Sequence, residues 1–175
     1  YVMRTVASDA ATAGVTANGI SIQAKNPGKW GNEIKVTAVA ASKGKTAATE
    51  VTGDDATGKV YTVANGSVFA EGDVIAIRNN GKVTGYNKIA MVQGNTITLV
   101  NPVDKNPVPK KVLSACEMNI EIAYRDQVEI YEGVSLNIGA ASYIAKVLSK
   151  SELVDVTAEE GKEIGSPLAV FGAAA

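Results

Sequence analysis

One stretch constrains the fold more than any other: Ala24-Lys25-Asn26-Pro27-Gly28-Lys29-Trp30-Gly31-Asn32-Glu33-Ile34-Lys35-Val36. It carries the only tryptophan of the chain. Two short runs that alternate apolar and polar residues flank it, Gly19 to Ala24 before and Glu33 to Val39 after. Asn26-Pro27-Gly28 is turn chemistry, because Pro27 fixes its own φ and Gly28 takes positive φ without steric penalty. Gly31 permits a second bend or a close backbone approach. Two bends around one indole make a rigid corner between two strands. In its plainest form that corner is a hairpin stapled by a buried Trp30, since large aromatic side chains dominate core burial. The candidate structural corner is therefore Asn26, Pro27, Gly28, Trp30, Gly31 and Asn32.

Elsewhere period-two alternation is the main signal. Tyr1 to Val6 reads as a strand, and Ala7 to Asn18 as a loop or short helical turn. Ser42 to Lys59 has almost no large apolar residue and reads as a linker. Short strands follow at Val60–Val63, Asp73–Arg78, Lys88–Val92 and Thr96–Val100, punctuated by Asn65-Gly66, Glu71-Gly72, Asn80-Gly81 and Gly94-Asn95. Such spacing predicts a small barrel or curled sheet. Asn101 to Lys111 is a second, Pro-rich linker. Glu117 to Leu136 predicts an antiparallel hairpin, with Met118, Ile120, Ile122 and Tyr124 on its apolar face. Ala141 to Lys150 carries a helical stripe of Tyr143, Ile144, Val147 and Leu148, with Asn137 or Ser142 to cap it. Leu153 to Thr157 is a last strand. The expected class is α+β and predominantly antiparallel β. Residues 1–42 and 112–160 form a discontinuous sheet domain with one main helix. Residues 43–111 form an inserted small barrel with its linkers, and 161–175 a tail.

Composition excludes whole classes of chemistry. The chain has no histidine, which removes the commonest general base and most zinc sites. A single cysteine, Cys116, permits no internal disulfide. It reads as buried and inert. A formal charge of −1, from 17 basic and 18 acidic residues, offers no electrostatic case for nucleic acid or an anionic membrane. No apolar run reaches spanning length, and nothing resembles a signal peptide. Asp54-Asp55 and Glu159-Glu160 read as solvated carboxylates, Glu117 and Glu121 as the solvent side of a strand, and Lys105, Lys110 and Lys111 as an exposed linker. Gly28 and Gly31 make no phosphate loop, and Ser135 stands in no GxSxG context. No catalytic set, cofactor site or metal site can be assembled.

The Ala24–Val36 stretch also carries a family resemblance. Ala-Lys-Asn-Pro-Gly-x-Trp-Gly-Asn-x-Ile-x-Val resembles the corner of contractile phage tail sheath proteins and of related injection machines. Other segments are similar to that family in the same order. They are Tyr1 to Val6, similar to the family's strand that ends in an arginine; Glu129-Ile130-Tyr131-Glu132-Gly133-Val134-Ser135-Leu136; and Tyr143 to Val156. Phe69 to Ile75 together with Val92 to Leu99 resembles a β-module inserted in longer sheath proteins. The resemblance implies a structural subunit that polymerises with its copies in stacked rings around a tail tube and contracts to drive that tube through a target envelope. Tube and baseplate contacts would fall to parts of a parent chain outside this sequence. The isolated segment is then expected to be a monomer, located in a virion tail assembled in the host cytoplasm or in a cytoplasmic injection machine. The alternative is a binding module in which Tyr61, Phe69 and Tyr86 recognise carbohydrate or a host surface.

Overall fold

A computed structural model describes residues 11–17, 19–41, 45–50, 58–103 and 111–159. Tyr1 to Val6, Asp54-Asp55, Lys105, Lys110, Glu160 and the 161–175 tail lie outside the described residues. The class is α+β and mainly antiparallel β.

Two three-stranded sheets and one closed barrel make up the described chain. In the first sheet β2 (Ile20–Ala24) lies between β1 (Gly14–Ala17) and β12 (Val154–Ala158), antiparallel to both. In the second, β10 (Glu117–Tyr124) lies between β3 (Lys35–Ala41) and β11 (Gln127–Ser135). The barrel runs β4-β5-β8-β7-β6-β9. Its strands are β4 (Lys45–Glu50), β5 (Val60–Val63), β6 (Val74–Asn79), β7 (Lys82–Gln93), β8 (Thr96–Leu99) and β9 (Lys111–Ala115).

Strong alternation behaves as expected. Met118, Ile120 and Ile122 on β10 are all fully buried, and β11 returns beside them as the predicted antiparallel hairpin. The Asn80-Gly81 turn between β6 and β7 holds φ of 49° and 81°, the doubly positive pair of a two-residue hairpin.

Weak signals were overridden by pairing. The expected loop before Asn18 contains strand β1, whose Val15 and Thr16 add β-branched bulk to a small-residue run. The expected linker after Ser42 contains β4, which bonds to β5 on one side and β9 on the other and so closes the barrel. Closure removes both sheet edges, a gain that needs backbone groups and no large side chain. The barrel's last strand lies at 111–115, beyond the expected boundary at 111, and only Cys116 separates it from β10.

Two apolar cores result. One lies between the two sheets and helix α1 (Ile144–Leu148), with Ile20, Ile22, Met118, Ile120, Ile122, Val134, Leu148 and Val154. The other fills the barrel with Tyr61, Val63, Phe69, Ile75, Ile77, Ile89, Ile97, Leu99 and Leu113. Strand β6 belongs to both: Val74 and Ala76 face the sheets, and Ile75 and Ile77 face the barrel interior. The helix is shorter than the expected 141–150. Its N-cap is Tyr143, with no side-chain cap bond, so neither Asn137 nor Ser142 caps it. The backbone of Ser142 and Tyr143 is held instead beside Ser135, through Ser135 N–H to Ser142 O at 2.8 Å and a parallel bridge at Tyr143.

Candidate functional site

The corner exists, but it is not a hairpin. Strands β2 and β3 never pair; the Asn26–Glu33 stretch carries the chain from the first sheet to the second. Gly28 sits at φ 134°, a value that disfavours any side chain. A 3-10 helix follows over Lys29–Glu33. Gly31 is buried, and a Cβ on it would lie 2.9 Å from Ala24 Cβ and 3.1 Å from Ala13 Cβ. The close approach expected of Gly31 is therefore the contact of the corner with β2 and with the residues leading into β1.

Trp30 is half-buried rather than buried, because it closes the end of the core instead of filling its middle. Its ring meets Tyr124 edge-on, with centroids 5.3 Å apart and planes at 76°. The Arg125 guanidinium lies 5.0 Å from the other ring's centre, that of Tyr124, and its Nε is 3.5 Å from Glu33 Oε2. Among the described residues the buried Trp30 Nε1 has no hydrogen-bond partner. Pro27 is half-buried, while Asn26 and Asn32 are exposed. An apolar cleft of about 380 Å³ runs from the corner between the sheets, lined by Ala13, Ile22, Ala24, Gly31, Ile34 and Val154 among others.

Two polar clusters lock this scaffold. Glu129 of β11 accepts from Ser151 Oγ at 2.6 Å, from Glu152 N–H at 2.9 Å and from Tyr131 OH at 3.0 Å. Burial acts to raise the Glu129 pKa, but these hydrogen bonds and the Lys25 charge together hold it below the usual carboxylate range. Tyr131 is shifted up, first by burial and then by its bond to Glu129. The Lys25 ammonium donates to Ser151 O, so residues of both sheets converge on one turn. In the second cluster the Asn137 amide donates to Glu71 O at 2.9 Å and to Asp73 Oδ1 at 2.8 Å, and accepts from Gly139 N–H at 2.9 Å. Asp73 Oδ2 accepts from Ala70 N–H at 2.8 Å. Sequence reading missed both clusters. Their partners lie 22 and 64 residues apart and follow no period.

The remaining candidates scatter. Tyr61 and Phe69 are buried inside the barrel and Tyr86 is half-buried against the sheet core, so the three make no shared surface. Glu121 is exposed as expected, but Glu117 is buried where the strand leaves the barrel for the sheet. Lys111 is no linker residue: it opens β9, and its ammonium donates to Tyr61 OH at 3.2 Å. Cys116 is buried, and burial pushes its thiol up to about 12. Ser135 is buried, its Oγ accepting from Asn137 N–H. Among the described residues no three Cys, Asp or Glu side chains gather as a metal site, and no helix is long and apolar enough to cross a membrane. Chemically the arrangement clamps strands together. No protein-family model, curated protein or solved structure matches the chain.

Proposed function

We propose that this chain is part of a contractile tail sheath subunit, a structural element that works by packing against copies of its parent protein. The carrying observation is the corner. The residues that bear the sheath resemblance, Gly28, Trp30 and Gly31, are the ones that turn the chain between the two sheets. A second feature supports the reading. On the outer side of the β3-β10-β11 sheet, Val39 and Ile130 are 61% and 65% exposed and Val128 lies two residues along β11 from Ile130, a surface suited to packing on a neighbour. Subunits of this kind need heterologous contacts that open into a helical array, and two packings that differ in free energy. The tube and baseplate would be met by other parts of the parent protein, and the setting would be a virion tail or a cytoplasmic injection machine. The recognition-module alternative loses Tyr61 and Phe69 from any surface.

Immunogold electron microscopy tests the proposal. An antibody raised against this chain is expected to label rigid tubular particles at regular intervals along their length, in lysates of the cells that make the parent protein. Diffuse label that avoids such particles would reject it.

A further inference from the structure

The outer face of the β3-β10-β11 sheet holds a recess. Register places it. Glu121 on the central strand pairs with Thr37 of β3 and with Ile130 of β11, and Asn119 pairs with Val39. These five residues surround a dimple of about 150 Å³. A space of that size takes a guest of about six carbons, so one aliphatic side chain fits. Its walls are open to contact: Val39, Ile130 and Glu121 are all exposed. Glu121 makes no ion pair among the described residues. The recess therefore suits an aliphatic knob that carries a positive charge about one strand spacing, ~5 Å, to its side.

The chain carries that complement elsewhere. Ile138, in the loop between β11 and α1, is 41% exposed. The Lys146 ammonium donates to Ile138 O at 3.1 Å and to Ala140 O at 3.3 Å, which leaves one proton for an outside acceptor. An exposed aliphatic side chain thus has a cation fixed beside it, and a group already held loses less freedom when it enters a contact. The two patches lie on different surfaces. Val39, Glu121 and Ile130 face away from the core, whereas α1, which the Ile138 loop enters, packs on the core side through Ile144 and Leu148. A symmetric pairing of two recesses is disfavoured, because centred on the patch it would set Glu121 against Glu121.

We propose that the recess on the β3-β10-β11 sheet receives Ile138 of a second copy of this chain, with Lys146 of that copy paired to Glu121. The contact is head-to-tail. Each copy keeps one recess and one knob unused, so the contact propagates instead of closing on a pair. It deepens the sheath reading and rests on it for its partner. A patch of a few aliphatic residues and one ion pair is well below a standard interface, so a single contact is weak. In an array, contacts made by other parts of the parent protein would raise its effective concentration.

The test is paramagnetic NMR between two samples of the chain mixed at about 1 mM each, a concentration that populates contacts below standard size. One copy carries a nitroxide on Ala141→Cys, an exposed position three residues from Ile138. Its Cys116 is buried, with the thiol at about 12, and stays unlabelled. The other copy is isotope-labelled and carries no nitroxide. Its Val39, Glu121 and Ile130 amides should broaden selectively. Glu121→Lys in that copy should cut the broadening about fivefold or more, since like charge then meets like. Ile138→Ser in the spin-labelled copy should do the same while leaving the Lys146 bonds to backbone in place. Lys146→Glu in the spin-labelled copy should cut the broadening of the parent chain and restore that of Glu121→Lys. Absent broadening, or broadening spread evenly over the surface, overturns the proposal. So does a charge exchange that fails to restore it in chains whose spectra stay folded. Regular immunogold label without selective broadening would reject this contact and leave the sheath reading standing. Broadening restored by the exchange, beside gold label that avoids tubular particles, would do the reverse.

Discussion

Asn137 Nδ2 donates to Asp73 Oδ1 at 2.8 Å, and this bond ties the loop after β11 to the barrel turn before β6. Both residues are at most 3% exposed. The same amide satisfies Glu71 O and Gly139 N–H, so both polar side-chain atoms of Asn137 are engaged. Space is as tight as the bonding: a Cβ on Gly72 would come 2.7 Å from Asn137 Oδ1, at a φ of +86°.

Asn137→Ala strips buried partners of their hydrogen bonds and leaves a hole. It is expected to lower stability by about 2–3 kcal/mol. Urea unfolding checks this as a fall in midpoint with an unchanged m-value. A change below ~0.5 kcal/mol, the range of ordinary surface substitutions, would show the latch to be ornamental.

Trp30 and Tyr124 should be coupled. Their edge-on contact spans the corner and the end of β10, and no other aromatic pair is in contact among the described residues. In a double-mutant cycle of Trp30→Leu and Tyr124→Leu the coupling energy should be about 1 kcal/mol. Additive effects would mean that each ring merely covers apolar surface by itself.

Glu129 gives the acid limb of stability a specific cause. Its carboxyl ionises at lower pH in the folded chain than in the unfolded one. Its contribution is therefore fully present above the unfolded value, about 4.3, and is lost as pH falls through the folded value. Between about pH 5 and pH 3 the parent chain should lose stability more steeply than Glu129→Gln, whose amide does not titrate there. The group is only half-buried, so solvent screening keeps the difference small. Parallel thermal-midpoint curves for the two chains over that range would exclude Glu129 as the source.

These features mark the limit of what alternation alone reveals. Met118, Ile120 and Ile122 were legible because one face of β10 meets a core and the other does not. Val74, Ile75, Ala76 and Ile77 are all buried, so β6 has no polar side to announce which core it faces. Strands β1 and β4 have little apolar content and owe their existence to backbone pairing with partners distant in sequence. At the corner, Gly28 and Gly31 were readable because backbone geometry is a local property. That β2 and β3 part into different sheets was not, because pairing is not local.

The double allegiance of β6 leads to the remaining prediction, that barrel and sheets unfold as one unit. Val74 and Ala76 contribute to the sheet core while their neighbours Ile75 and Ile77 contribute to the barrel core. Strand β9 runs into β10 through Cys116 alone, and Cys116 N–H donates to Val74 O at 2.8 Å. Neither core can lose its packing without disturbing a strand that the other needs. Ile75→Ala removes bulk only from the barrel, at about 2–5 kcal/mol. Its effect should nonetheless appear in full at Trp30, in the sheet region, as a lowered midpoint of tryptophan fluorescence. Cys116 supplies an independent readout at the junction. With its thiol at about 12, roughly one molecule in ten thousand carries a thiolate at pH 8, so alkylation should wait for unfolding. Fluorescence and alkylation should then report one coincident transition, shifted equally by Ile75→Ala. If the substitution moved the alkylation midpoint and left the Trp30 midpoint in place, the barrel would be a separately folding body and the shared strand would carry no cooperativity.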